Sequence, residues 1–419
     1  MRPVSGGIDF GTSNSTVGFV ENGKPQLVRL EDGQATMPSA VFFNFEDGRT
    51  HFGRRAIGDY TENVEGRLLR ALKSVLGTSL IHEKTRIKAH AIAFSDIIGS
   101  FLHFLKEKLE SEVGQPVDNI VLGRPVHFVD DDEAADRRAQ NELEKAAHKR
   151  GFKNIAFQFE PIAAALDYEQ SVAKEELALI VDIGGGTSDF SIVRVSPERA
   201  VADDRKDDIL ASSGVHIGGT DFDRLLSIAH VMPELGYLTP TKDGKRNLPA
   251  GYFIDLATWQ RINMLYTNKA MADLRQIRYE AARPELVERM IDVVQHRQGH
   301  ALAATVERAK IALTDTDRIA IEVTLTDGKL SLPLTRAGFD AAILGAVVRI
   351  TEVIERTLKD AGVARSRITT LFLTGGSTAI PLMKQSVLDM FPHATVVEGD
   401  MFGSVGLGLA LDARRKYGA

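Results

Sequence analysis

Apolar runs that end in an acid recur in this chain, and each leads through a glycine-rich turn into a second apolar run. The first is Gly7-Ile8-Asp9-Phe10-Gly11-Thr12-Ser13-Asn14-Ser15-Thr16, continuing into Val17 to Val20. The second is Ile180-Val181-Asp182-Ile183-Gly184-Gly185-Gly186-Thr187-Ser188-Asp189, continuing into Phe190 to Val195. Both predict a β-hairpin. After the first, Ala40 to Phe45 reads as extended, and Arg67 to Leu76 predicts a helix stopped by Gly77. Ile97, Phe101, Leu105, Leu109 and Val113 recur every four residues and predict a helix ending at Gly114 to Pro116. A strand (Asn119 to Leu122), a polar helix to Gly151, a further strand and a small-residue helix, Ile162 to Leu166, complete the first half. The second half repeats the plan. Gly218-Gly219-Thr220-Asp221-Phe222-Asp223 opens a helix, and Phe339, Ile343, Val347, Ile350, Ile354 and Leu358 mark a long one. Strand Ile368 to Leu373 then meets Gly375-Gly376-Ser377-Thr378, with Pro381 in the first turn of another helix, and the chain closes on a helix with a basic tail. Alternation of this kind, duplicated, predicts an α/β fold of two similar lobes.

The turns carry the candidate chemistry. Glycine permits positive φ and lets backbone N–H groups approach an anion closely. Thr12, Ser13, Thr187 and Ser377 add hydroxyl donors. Asp9 and Asp182 stand where a carboxylate would hold hydrated Mg²⁺ through oxygen. A single Gly-rich turn is commonly only a tight turn. Here the paired acids, the hydroxyls, the repeat and the third Gly-Gly-Ser-Thr turn together predict a clamp for a metal-bound polyphosphate.

At 419 residues the chain exceeds one ordinary core. A net charge of −6 gives no bulk attraction to nucleic acid or an anionic membrane. No cysteine is present, which excludes disulfides and thiolate chemistry and fits a reducing compartment. The N-terminal residues form no secretory signal, and no stretch approaches the ~18 apolar residues of a membrane span. A cytoplasmic protein is expected, with no nucleic-acid or membrane partner.

These residues carry a resemblance. In order along the chain they resemble the actin-like ATPase superfamily, and within it the nucleotide-binding domain of the seventy-kilodalton heat-shock chaperones, in a short branch typified by YegD. Gly7 to Ser15 is similar to the first phosphate loop, Asp182 to Asp189 to the second, with Ser188 replacing an aromatic. Lys73 falls at the family's catalytic lysine, and Glu160-Pro161-Ile162-Ala163-Ala164-Ala165 is similar to its Glu-Pro-Thr-Ala-Ala-Ala segment. Glu307-Arg308-Ala309-Lys310, Gly375 to Thr378 with Ile380-Pro381, and Asp400 with Gly406 resemble further signatures.

The resemblance implies duplicated ribonuclease-H-like domains around a central nucleotide cleft. Lobe I would take 1–170 plus 394–419, with an insert at about 38–114. Lobe II would take 171–393, with an enlarged insert at about 224–330. ATP or ADP with Mg²⁺ is the implied ligand, and slow ATP hydrolysis within a chaperone-like switch the implied activity. Asp9 and Asp182 would orient the metal; Lys73, Glu160, Asp182, Thr187 and Asp189 would serve the chemistry. Gly11, Thr12, Ser13, Asn14, Gly184, Gly185, Gly186, Thr187, Gly218, Gly219, Glu307, Lys310, Ile311, Thr314, Gly375, Gly376, Ser377, Ala379 and Asp400 would line the nucleotide.

Two departures stand out. Ile311 and Ala379 replace arginines that sandwich the adenine in the family, which removes two cation–π planes. The chain reaches Ala419 without the family's linker and peptide-binding domain, so client contact is expected on the lobe surfaces, around Trp259, or through a co-chaperone. A nucleotide-gated filament protein and a small-molecule kinase remain alternatives on the same scaffold. Other clusters read blandly. His296 and His300 have zinc-pair spacing but no third ligand, and are expected on a solvated helix face. Asp130 to Glu133 suits a helix N-terminus, and Asp203, Asp204, Asp207 and Asp208 with Arg205 and Lys206 suit an exposed hairpin tip.

Overall fold

The computed structural model describes residues 4–88, 90–129, 132–169, 172–199, 202, 204–397 and 403–418. The first hairpin is β1 (Ser5–Phe10) and β2 (Asn14–Glu21), extended by β3 (Lys24–Leu27) and β4 (Thr36–Pro38). An insert follows: β5 (Ala40–Asn44), β6 (Thr50–Phe52), α1 (Gly53–Thr61), β7 (Gly66–Arg70), β8 (Lys84–Ile87) and β9 (His90–Ala93). The chain returns through α2 (Phe94–Val113), β10 (Asn119–Arg124), α3 (Glu133–His148), β11 (Asn154–Phe159) and α4 (Glu160–Glu169). The second half opens with β12 (Glu176–Ile183), β13 (Ser188–Val195), β14 (Ile209–Val215) and α5 (Gly219–Leu226). Its insert holds α6 (Gly251–Ala257), α7 (Asn268–Glu280), α8 (Pro284–Gln295), α9 (Gly299–Ala312) and the hairpin β15 (Arg318–Leu325) and β16 (Gly328–Thr335). It ends with α10 (Arg336–Asp360), β17 (Thr370–Thr374), α11 (Pro381–Met390), β18 (Thr395–Val397) and α12 (Ser404–Tyr417).

The duplication is topological. One sheet runs β3-β2-β1-β10-β11, the other β14-β13-β12-β17-β18. In each, the first three strands are antiparallel neighbours and the last two join in parallel, so both follow the order third, second, first, fourth, fifth. β1 is buried along nearly its whole length because helices cover both its faces. A Cβ on Gly6 would lie 2.5 Å from Leu109 of α2, and one on Gly7 2.4 Å from the backbone of Leu409 in α12. The sheets each have their own core, and a third core of mostly small side chains joins them. It combines Ala163 to Ala165 of α4 with Ile180, Val193, Phe372, Leu409 and Ala413. Here α12 crosses α4 so closely that a Cβ on Gly408 would lie 1.8 Å from the carbonyl oxygen of Ala163. Asp412, 1% exposed, is held by Lys416 at 2.6 Å and Arg415 at 2.7 Å.

Three expectations are corrected. Arg67 to Leu76 is not a helix. Residues Gly66–Arg70 form β7, paired with β5 through Val41 and Leu69, Phe43 and Arg67. Ala71 then takes a left-handed φ of 54°, and a short 3-10 turn, Leu72–Val75, presents Lys73. The helical propensity of this stretch yields to a strand partner elsewhere in the chain. Around Arg205 the tip is exposed only in part: Asp204, Lys206 and Asp207 face solvent. Arg205 and Asp208 are buried, and both Arg205 Nη atoms donate to the Glu169 carboxylate at 2.8 Å while Nε donates to Asp208. Opposite charges that close a bidentate network can be buried where a like-charge run cannot. Asp203 lies outside the described residues. His300 is also buried, in the first turn of α9, whereas His296 is exposed at the end of α8, so they share no solvated face. Asp132 does cap α3, accepting from the Ala135 N–H at 2.8 Å; Asp130 and Asp131 lie outside the described residues.

Gly408→Ala should lower the thermal unfolding midpoint, with a cost of roughly 1–3 kcal/mol, because backbone faces the new methyl group. Gly345→Ala, in open space on the exposed face of α10, should raise it slightly, by about 0.5–1 kcal/mol. Equal midpoints in a calorimetric scan of the two variants would contradict the close crossing.

Candidate functional site

The two Gly-rich turns face each other. Each follows a central strand, so the sheet order sets Asp9 at the end of β1 and Asp182 at the end of β12 on opposing walls of one cleft. A Cβ on Gly185 would fall 2.1 Å from Ser13 Oγ, which places the turns against one another. The first turn is strapped from outside, since Ser39 donates its hydroxyl to the Gly11 carbonyl at 2.7 Å and its N–H to the Ser13 carbonyl at 2.8 Å. The second is closed by Gly184 N–H to Thr187 O at 2.9 Å and braced by the start of α5. Gly219 N–H reaches Gly184 O at 2.9 Å, and the Thr220 hydroxyl reaches Gly185 O at 2.8 Å. Gly218 must be glycine, because a Cβ would lie 2.7 Å from Gly185. The third turn backs onto Asp182. Gly375 has φ of 77°, and a Cβ there would lie 2.6 Å from Asp182 Oδ1. Ser377 Oγ donates to Gly184 O at 3.4 Å.

Lys73 enters this cleft from its 3-10 turn and donates to Glu160 Oε1 at 2.6 Å, with Lys73 9% and Glu160 17% exposed. Asp9, Asp182 and Asp189 act electrostatically on the same pair. Burial, then the Glu160 charge, pushes the Asp9 carboxyl up to about 8, against the opposing pull of Lys73. Burial, then Asp189 and Glu160, pushes Asp182 up to about 7. Burial lowers the affinity of Lys73 for its proton, but Glu160 and Asp9 outweigh it and hold the ammonium above its ordinary value. A cavity beside Glu160, Asp182 and Asp189 runs on past Pro125, Ser212 and Thr374. Among the described residues no group of three or more His, Asp or Glu converges tightly enough to hold a metal ion by direct ligation.

Further along the cleft, α9 contributes the remaining predicted residues. Lys310 Nζ donates to Asp223 Oδ2 at 3.0 Å and to Gly219 O at 3.1 Å, and so is tied to the start of α5. Glu307 lies one turn earlier, beside a cavity shared with Thr220, Asp223 and Arg70. Ile311 is 56% exposed, and Thr314 returns its hydroxyl to the Ile311 carbonyl at 2.7 Å. Ala379 ends the turn Gly376–Ala379, half-buried. Asn14 starts β2, exposed, next to Thr12 and Ser13. Asp400 lies outside the described residues.

Sequence reasoning missed Asp223, Arg70 and Ser39 as site residues. Asp223 stood within a quoted motif; burial, partly offset by Lys310, pushes its carboxyl up to about 6. Arg70 was hidden by the misread helix, since only as the last residue of a strand does it point into the cleft. For Ser39 there was no local signal, because its role depends on β4 pairing with β2. Trp259 is turned into the cleft, with the Arg70 guanidinium 4.9 Å from its ring centroid.

Comparison with known proteins agrees with this geometry. The family profile described as Hsp70 protein matches residues 5–239 and 279–414. The interval left between those stretches falls within the enlarged insert of the second half. The chain is 27% identical over 436 residues to the chaperone protein HscA of Pectobacterium atrosepticum, covering 99% of this chain and 58% of that protein. It is 28% identical over 428 residues to an HscA homolog of Shewanella sp. (strain ANA-3), covering 97% and 57%. The chain thus spans somewhat over half the length of these relatives. No helix among the described residues is long and apolar enough to cross a membrane. Two sheets of one topology, their glycine turns face to face, and a profile match across most of the chain lead to one conclusion: this protein belongs to the Hsp70 family.

Proposed function

We propose that this chain is the nucleotide-binding, slowly ATP-hydrolysing part of a chaperone switch, acting in the cytoplasm. The observation that carries the reading is the opposition of the two glycine turns across Lys73 and Glu160. Backbone N–H groups and hydroxyls of Thr12, Ser13 and Gly184 to Thr187 would cradle the β- and γ-phosphates where the two turns meet. The donor set also fits Mg²⁺. Its acids offer carboxylate oxygen, the ligand type that Mg²⁺ takes while keeping several of its waters. Asp9 and Asp182 would hold those waters, and the ion would supply charge neutralisation of the phosphates.

The chain's own residues divide the remaining work. Lys73, kept protonated by Glu160 and Asp9, would stabilise charge on the transferred phosphoryl group. Glu160 fixes the ammonium by its 2.6 Å bond and would accept a hydrogen bond from the attacking water. Asp189, which bears on Asp182 from the second hairpin, would help orient that water or complete the metal's water shell. Glu307 and Lys310 would face the ribose. The base would meet Ile311 and Ala379, apolar surfaces without guanidinium planes. Closure of the lobes on ATP would report nucleotide state to a protein partner on their outer surfaces.

Lys73→Ala should lower the single-turnover rate of phosphate release about a hundred- to a thousand-fold while changing MgATP affinity far less. Equal losses in both, or neither, would remove Lys73 from the chemistry. Asp9→Asn and Asp182→Asn should each weaken Mg²⁺-dependent nucleotide binding, read by calorimetry with and without the metal. Wild-type affinity and turnover in both variants would end the clamp reading. Arginine at both 311 and 379 should tighten ATP binding, with each plane contributing ~0.5–2 kcal/mol. An unchanged dissociation constant would mean that other residues grip the base.

A further inference from the structure

The last turn of α9 and the third glycine turn converge on the start of α5. A Cβ on Gly219 would lie 2.8 Å from Ser377 Oγ and 3.3 Å from Lys310 Nζ. Past that point the polar groups are already spent on the protein itself. The Ile311 carbonyl accepts twice, from the Thr314 N–H at 3.0 Å and from the Thr314 hydroxyl at 2.7 Å. Arg336, in the first turn of α10, turns its guanidinium onto the same helix end. Its Nε donates to the Leu313 carbonyl at 2.9 Å and one Nη to the Thr314 carbonyl at 3.3 Å, while the other Nη pairs with Asp317 at 2.8 Å. On the facing side, the Thr378 hydroxyl donates to the Gly375 carbonyl at 2.7 Å and Ser377 Oγ to the Gly184 carbonyl at 3.4 Å, and both side chains are buried. Of the described residues assigned to the base, that leaves Ile311, exposed, and Ala379, half-buried, and these present hydrocarbon only.

The phosphate end is built the other way, with two glycine turns face to face and the Lys73 ammonium between acids. The contrast decides what the cleft can tell apart. A site that hydrogen-bonds one edge of its ligand rejects the wrong analogue by roughly 10⁴-fold or more, because its own buried polar groups are left unpaired, whereas an apolar surface discriminates far less. The hydroxyl of Thr314 has given its proton to Ile311 and keeps only an acceptor lone pair. Adenine, guanine, cytosine and uracil each carry at least one N–H that such a lone pair can meet. Hydrocarbon from Ile311 and Ala379 packs against any ring.

We propose that the cleft holds a nucleoside triphosphate by its phosphates, metal and ribose without reading the base, so that GTP, CTP and UTP are bound and hydrolysed as ATP is. This rests on the nucleotide reading above and widens its substrate class. The chemistry is the same for each. Water adds to the γ-phosphorus as the bond to the bridging oxygen breaks, giving the nucleoside diphosphate, inorganic phosphate and one proton. No step of it touches the base.

The test is calorimetric titration of the full chain with ATP, GTP, CTP and UTP in Mg²⁺, followed by single-turnover phosphate release from each. The four dissociation constants, and the four rates, should each fall within about ten-fold of one another. The two purines should lead in affinity, because the larger ring covers more apolar surface. A wider spread in favour of any one base, adenine included, would overturn the inference and leave the nucleotide reading in place. No binding of any of the four would overturn the nucleotide reading and this inference with it. The double variant Ile311→Arg, Ala379→Arg supplies a second readout. It should tighten all four triphosphates together, because a guanidinium plane stacks on any base. Tightening confined to ATP would reveal a contact with the adenine edge, and unchanged affinity for all four would seat the base elsewhere. Either result would contradict the inference.

Discussion

Three half-buried carboxylates, Asp9, Glu160 and Asp182, share one cleft with the Lys73 ammonium, and an exposed fourth, Asp189, stands beside them. Among the described residues Lys73 is the cation that offsets the mutual repulsion of Asp9, Glu160 and Asp182. Such crowding costs stability, as the high proton affinities of Asp9 and Asp182 show, and a fold keeps it only by over-determining the positions. The determinants are visible: two central strands that end in the acids, backbone packed tightly around Gly11, Gly218 and Gly375, and a bond between Lys73 and Glu160 that spans 87 residues of sequence. Charge arranged this way is preorganised for a ligand that brings both metal and phosphate.

The same constraint explains why the lobes must be joined and yet separable. At the base, α12 and α4 cross backbone to backbone through glycine and alanine, a joint with little side-chain bulk to interlock. Elsewhere the halves meet where the Arg70 guanidinium covers the Trp259 ring. Members of the Hsp70 family share this two-sheet frame, whereas Trp259 lies in the interval between the two stretches that the family profile matches.

Much of this was legible in the chain itself. Apolar runs capped by Asp and followed by glycine mark both hairpins, because strand period, turn chemistry and buried faces agree there. The long helices α2 and α10 were equally clear from their periodicity. What escaped was whatever depended on distant partners. Arg67 to Leu76 has helical composition but supplies a strand to β5, which hid Arg70 and changed how Lys73 is presented. The acid-rich stretch near Arg205 looked solvated because its partner, Glu169, lies 36 residues away. His300 looked like one half of a surface pair because nothing local announces Tyr60, whose ring stands edge-on to it at 4.7 Å. Ile311 and Ala379 were visible as departures, and the outward exposure of Ile311 gives that departure a physical form.

The central claim is that the cleft is built for a nucleotide together with its metal. The most direct measurement is calorimetric titration of the intact chain with ADP in Mg²⁺ and again in excess chelator. The account predicts one site per chain, with affinity at least about ten-fold stronger when the metal is present, since the carboxylates otherwise face the phosphates with their charge uncompensated. Binding that is equally tight in chelator, or no binding at millimolar ADP with Mg²⁺, would contradict it.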